Sequence, residues 1–293
     1  VSFVLCLLLL GVFTTRVGKA SDLDLRYRGI TASGQALSGV SPAPSAVSGG
    51  EISRGFEGNG GAVASSTGSG DTEDEVIGQD DRILVRNTTD FPHRAIGFLS
   101  TACTGTLIGP RHVLTAAHCV YNVNQDRWYT GISFSPGRNA STEPYGTFGF
   151  ETSYAPQGYT DSHDTRYDYA VVVLRDSIGN STGWLPYAWS DQVDQSAIHI
   201  VGYPSDLGTG TQQWESQCPI DQVSSTDLRY RCSTSGGDSG SAVWEYAASG
   251  EPTVYGIHVY GLNGANGEPV GNSATRITQD VFAQLQYWIS RNP

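Results

Sequence analysis

From Val76 onward the chain is written as short β-rich runs, each closed off by Gly, Pro, Asn or Asp, with no long helical pattern between them. The clearest runs are 95–100, 105–108, 113–115, 170–174, 198–203, 241–244 and 254–258. Without helices to carry parallel crossovers, such runs must pair as antiparallel neighbours, so the pattern argues against βαβ units and predicts an all-β barrel or sandwich. One helix is predicted near the end, where Val281, Phe282, Leu285, Trp288 and Ile289 recur on one face and Thr278 is a plausible N-cap. No repeat of fixed period is visible, and no P-loop or Gly-rich dinucleotide fingerprint follows a strand.

The part before Val76 has a different character. Residues 1–13 are an apolar run too short to span a bilayer, which takes about 20 residues of helix. With Gly18-Lys19-Ala20 after it, the run reads as a secretory signal cut near Ala20, in a chain that has no Met and whose true start is expected to lie upstream. Between Ser48 and Gly70, thirteen of 23 residues are Gly or Ser, a composition that buries too little apolar surface to offset the entropy of ordering it. Residues 21–75, ending in Asp71-Thr72-Glu73-Asp74-Glu75, are therefore expected to form a pro-segment or flexible linker, and residues 76–293 a globular unit. The net charge of −12 comes without any Lys/Arg cluster, so nucleic acid is not an expected partner.

Removing the leader takes Cys6 with it and leaves Cys103, Cys119, Cys218 and Cys232. Four cysteines in a secreted chain suggest two disulfides. Three pairings are possible, of which Cys103 with Cys119 and Cys218 with Cys232 closes two short loops. The stretches starting at Asn87, Asn139 and Asn180 fit the N-glycosylation pattern.

Three local patterns carry chemistry. In Ser235-Gly236-Gly237-Asp238-Ser239-Gly240-Ser241, glycines around a serine let successive backbone N–H groups converge beside its hydroxyl, as an oxyanion hole requires. In Leu114-Thr115-Ala116-Ala117-His118-Cys119, a histidine ends an apolar strand beside a cysteine that a disulfide to Cys103 would pin, and a general base has to be held in place. In Tyr167-Asp168-Tyr169-Ala170-Val171-Val172-Val173-Leu174, a carboxylate stands at the mouth of a buried strand, where it needs a partner such as an imidazole N–H.

In the order His118, Asp168, Ser239 these residues resemble the triad of the chymotrypsin-like serine peptidases, with Thr104-Gly105-Thr106-Leu107-Ile108 and Gly237-Asp238-Ser239-Gly240 as further matches. The resemblance covers about residues 76–293. It implies two six-stranded antiparallel β-barrels with the site between them, a C-terminal helix, an oxyanion hole from the N–H groups of Gly237 and Ser239, and protein or peptide substrates. A monomer without cofactor or metal is expected, since no metal-binding motif is present.

Within that superfamily the chain is most similar to the glutamyl endopeptidases. Thr234 and His258 match the positions those enzymes use to hold a substrate carboxylate, and Ser233 stands where trypsin-like enzymes carry a specificity-setting Asp. The resemblance also gives the amino group of Val76, freed by a cut after Glu75, a role at the site. Asp238 departs from the pattern, as many glutamyl endopeptidases have Asn there. Two other readings keep the fold: a peptidase preferring a neutral side chain, and an inactive binding module, although no triad residue is replaced.

Overall fold

The computed structural model describes residues 24–44, 49–57 and 74–293. The leader at 1–20 and most of the Gly/Ser-rich stretch lie outside them. Among the described residues, no helix is long and apolar enough to cross a membrane.

Six strands close into a first barrel. Ser133–Pro136, Ile96–Leu99, Cys103–Leu107, His112–Thr115, Ala170–Leu174 and Phe148–Pro156 follow one another, and Phe148–Pro156 returns to pair with Ser133–Pro136. The central member, Ala170–Leu174, is buried along its whole length, as an unbroken apolar run must be to bury both faces. A second antiparallel sheet orders Ile220–Val223, Asp227–Tyr230, Pro269–Arg276, Pro252–Asn263, Ala242–Tyr246, Ile198–Gly202, Trp214–Cys218 and Ile83–Leu84. Ile198, Ile200, Leu228, Tyr230, Val243 and Ala274 pack together inside it. Every predicted strand is present with ends shifted by a few residues; strands such as Asp227–Tyr230 and Pro269–Arg276 escape the pattern because polar residues fill much of their length.

The helix is found at Gln279–Ser290, capped by the Thr278 hydroxyl, which accepts a hydrogen bond from the Val281 N–H. Its buried face carries Val281, Phe282, Leu285 and Trp288. Trp288 is fully buried, stacked on Tyr154 at 5.9 Å between ring centroids and tilted against Tyr169 at 5.9 Å. The disulfides join Cys103 to Cys119 and Cys218 to Cys232, the pairing that closes the two short loops.

Residues 24–44 and 49–57 depart from the expectation of a flexible linker. Arg26–Thr31 and Ala36–Val40 form a hairpin that adds to the free side of Phe148–Pro156, and Gly50–Ile52 pairs with Ala188–Ser190. Backbone pairing to an existing sheet edge and the burial of Tyr27 supply what the segment's scarce aliphatic side chains do not.

Replacing Trp288 by Ala empties the joint between the helix and the first barrel. Trp288→Ala is expected to cost about 3–5 kcal/mol, measured as a lower urea midpoint with an unchanged slope.

Candidate active site

The strand His112–Thr115 runs into a 3-10 turn, Ala117–Cys119, and the Cys103–Cys119 disulfide ties that turn back to the neighbouring strand. His118 therefore leaves the barrel from a fixed backbone. Asp168 stands between the 3-10 turn Thr165–Tyr167 and the strand Ala170–Leu174, with only 5% of its side chain exposed. Its carboxylate holds the histidine twice: Oδ2 lies 2.8 Å from His118 Nδ1, and Oδ1 accepts the His118 backbone N–H at 3.0 Å. An ionised carboxylate only accepts, so Nδ1 carries the proton and, in the neutral ring, Nε2 is left as an acceptor. The imidazole is about one-third exposed.

The loop from Ser235 to Ser241 bends on two glycines in the left-handed region, Gly237 at φ +98° and Gly240 at φ +86°. A Cβ on Gly237 would lie 2.3 Å from the Tyr203 carbonyl oxygen, and one on Gly240 would lie 2.2 Å from Thr115 Oγ1, so both positions exclude any side chain. Asp238 accepts the Ser235 N–H at 2.9 Å through Oδ2. The N–H groups of Asp238 and Ser241 bond to the carbonyls of Ser235 and Asp238. The N–H groups of Gly237 and Ser239 take part in none of these bonds.

Thr104, fully buried in the first barrel, is the clasp for this loop. Its N–H donates to the Ser239 carbonyl at 2.9 Å and its hydroxyl to the Gly237 carbonyl at 2.8 Å. The same hydroxyl accepts the Tyr203 N–H at 3.1 Å, and the Thr104 carbonyl accepts from the Thr115 hydroxyl at 2.8 Å. In the sequence Thr104 stands out only as part of a motif before the histidine; its tie to the serine loop is a contact between distant segments.

The two predicted specificity residues flank the loop. Thr234 and His258 are buried, and the His258 backbone bonds to it twice, its carbonyl accepting from Gly240 N–H and its N–H donating to the Ser241 carbonyl, both at 2.8 Å. His258 Nδ1 lies 2.8 Å from the Tyr230 hydroxyl, a partner that sequence reasoning missed; the two residues are 28 positions apart, on strands separated by Pro269–Arg276. The backbone of Asp74–Glu75 pairs with Thr234–Ser235, so the residues just before Val76 run beside this wall in the uncut chain.

Arg82 provides a second clasp that the sequence did not announce. Its side chain is 2% exposed and forks to Asp206 through Nη1 at 2.8 Å and Nη2 at 2.6 Å, and to Asp80 through Nε and Nη2, both at 2.9 Å. Next to Asp206, the Ser205 N–H donates to the Gly236 carbonyl at 2.7 Å. Burial pushes the Asp206 carboxyl up, but the guanidinium outweighs it and holds the group below the ordinary range; Asp80 is held down by the same cation.

Among the described residues one group of potential metal donors lies together, Cys103, His118 and Cys119. The two sulfurs are bonded to each other, so neither is the thiolate a metal needs, and one imidazole remains.

Comparison with known proteins adds the following. The family model described as Trypsin matches residues 84–289. A protein named glutamyl endopeptidase from Bacillus licheniformis is 38% identical over 221 residues, 73% of this chain and 68% of that one. A Bacillus subtilis protein named extracellular metalloprotease is 35% identical over 262 residues, 82% of this chain and 81% of that one. A solved structure of a Glu endopeptidase in complex with MPD superposes with a TM-score of 0.67 at 31% identity, covering 73% of this chain and 99% of that chain.

Two outcomes are expected from the clasps. Thr104→Val removes the hydroxyl that serves Gly237 and Tyr203, and should cost about 1–3 kcal/mol in urea unfolding. Arg82→Met should cost about 2 kcal/mol at pH 7, less than breaking a fully buried pair because both carboxylates keep some contact with water. Carboxyls depressed in the folded state contribute stability above their unfolded pKa, about 3.9, which is lost as pH falls through the folded value. The gap between Arg82→Met and the parent should therefore narrow below about pH 4.

Proposed function

The chain belongs to the trypsin family of serine endopeptidases, and from that premise we propose that it is a secreted glutamyl endopeptidase, made as a precursor and cut between Glu75 and Val76. The observation that carries the mechanistic part is the double hold of Asp168 on His118. In the proposed reaction Ser239 attacks the peptide carbonyl while His118 Nε2 takes its proton. Asp168 fixes the ring and stabilises the imidazolium, and the unspent N–H groups of Gly237 and Ser239 receive the oxyanion. His118 then protonates the leaving amine, and water hydrolyses the acyl-enzyme by the same acid–base route.

The preference for Glu rests on His258 and Tyr230. A Tyr230 hydroxyl that donates to Nδ1 leaves the His258 proton on Nε2, a donor suited to a carboxylate. With the Thr234 hydroxyl, this would form a pocket that selects by hydrogen bonding, and such pockets reject substrates lacking the matching group far more strongly than apolar pockets discriminate by size. The B. licheniformis relative's name supports this reading. The B. subtilis relative's name concerns a metal, for which the bonded sulfurs beside His118 do not fit, so no step here runs through one. The name does agree with an extracellular location.

Pairing of Asp74–Glu75 with the backbone of Thr234–Ser235 supports processing at that junction, because it brings the Glu75/Val76 bond beside the wall that would read Glu. Asp238 already accepts from its own loop in the uncut chain, so the new amino group at Val76 would have to compete for that carboxylate or act at the pocket instead.

The test uses protein processed to begin at Val76, two peptides differing only by Glu or Gln before the scissile bond, and Ser239→Ala as the blank. Cleavage after Glu is expected to exceed cleavage after Gln by at least about 100-fold in kcat/KM, with no turnover in the blank. His258→Ala should lose that ratio while sparing neutral substrates. Equal rates on the two peptides would keep the peptidase and remove the glutamyl assignment. Asp168→Asn should lower kcat by about 10⁴, the loss recorded for the corresponding change in the reference triad.

A further inference from the structure

Residues 24–44 and 49–57 lie on the side of the proposed cut that activation would discard, yet they are built into the body of the molecule. Arg26–Thr31 pairs with Phe148–Pro156 over five positions, from Tyr27 opposite Pro156 to Thr31 opposite Thr152. Tyr27 is buried among Tyr154, Tyr287 and Trp288, with ring centroids at 5.8, 6.0 and 6.0 Å. Polar contacts fix the register: Gln284 Nε2 donates to the Leu25 carbonyl at 2.9 Å, the Asp24 N–H donates to the Tyr167 hydroxyl at 2.8 Å, and Arg28 pairs with Asp161 at 3.0 Å.

A second anchor follows on the same segment. Gly50–Ile52 pairs with Ala188–Ser190, the Ser53 hydroxyl accepts the Tyr187 N–H at 2.8 Å, and Phe56 packs on Trp184 with ring centroids 4.8 Å apart. The Phe56 and Trp184 backbones exchange two hydrogen bonds, at 3.0 and 2.7 Å. Neither anchor includes Asp74 or Glu75, so a cut after Glu75 breaks none of these contacts.

Leaving would be costly. Residues 152–156 are buried, and without Arg26–Thr31 they become part of an edge strand with unpaired backbone groups beside exposed aromatic rings. Two anchors on one short segment also favour retention, since either one holds the other at high effective concentration. Residues 24–57 contain no cysteine, so retention would rest on non-covalent contacts.

We propose that the segment 24–57 is not released on activation: the mature enzyme is a non-covalent particle of two chains, in which the cut N-terminal piece remains as the outer hairpin of the first barrel. The proposal rests on the processing proposed above only for where the natural cut falls. It is tested apart from it by placing the recognition sequence of a site-specific protease in place of residues 62–68 of the Ser239→Ala chain, cutting, and running native gel filtration. The body peak is then separated under denaturing conditions and weighed by mass spectrometry.

The expected result is a body peak that contains the 24–57 piece in a 1:1 ratio, with amide exchange across residues 152–155 within about tenfold of the uncut chain. A body peak without the piece, or loss of protection at those amides, overturns the proposal. The unaltered chain is run beside it: if that chain is never cut after Glu75 while the engineered cut leaves both pieces together, the processing assignment fails and retention stands.

Discussion

The structure turns on Thr104. A serine loop rich in glycine has little side-chain packing of its own, and its carbonyls, once buried between the barrel and the second sheet, must find donors or lose several kcal/mol of solvation. Thr104 supplies them from the first barrel with both its N–H and its hydroxyl, at Ser239 and Gly237. The first barrel thus holds the loop that bears Ser239, as well as His118 and Asp168 just beyond the ends of its own strands. Because Thr104 also accepts from Tyr203 N–H, the turn that presses on Gly237 is set by the same residue.

Around that clasp the charges are arranged to cost little. Asp168 is buried but spends its two oxygens on one histidine, and Arg82 is buried but divides its fork between two carboxylates. Each pairing locks a segment whose own sequence would leave it loose: the turn at Ala117–Cys119 in one case and the 203–206 turn in the other. Glu215 does similar work farther away, lying 2.6 Å from His199 and 3.2 Å from His93; burial raises its carboxyl, but the two imidazoles bring it down to about 2. It thereby joins the first barrel's approach, at His93, to the second sheet.

Much of this was legible in the residues. Ala170–Leu174 read as a buried strand, Val281, Phe282, Leu285, Trp288 and Ile289 as one face of a helix, and the glycines around Ser239 as a tight loop whose N–H groups converge. Tyr230 and Arg82 were not legible, because a tyrosine on a polar strand and an arginine after two aspartates are common on solvated surfaces. Their meaning lies in partners 28 and 124 positions away. The N-terminal segment escapes a compositional reading for a related reason: it lacks the apolar residues needed to fold alone, and it orders by borrowing the edge of a sheet made by residues more than a hundred positions later.

The amino-acid sequence by itself determined the β-rich class of fold, the C-terminal helix, a glycine-rich loop around Ser239, the presence of four cysteines able to form two bridges and the residue types of the candidate site, since these follow from periodicity, composition and the chemistry of side chains. Tertiary structure alone decided that Asp168 holds both the ring and the backbone of His118, that Thr104 carries the serine loop, that His258 is backed by Tyr230 and that the N-terminal hairpin is part of the barrel. These are pairings between distant segments. They arise only when the closing of each sheet brings buried polar groups face to face, and the need to satisfy those groups then chooses the partners.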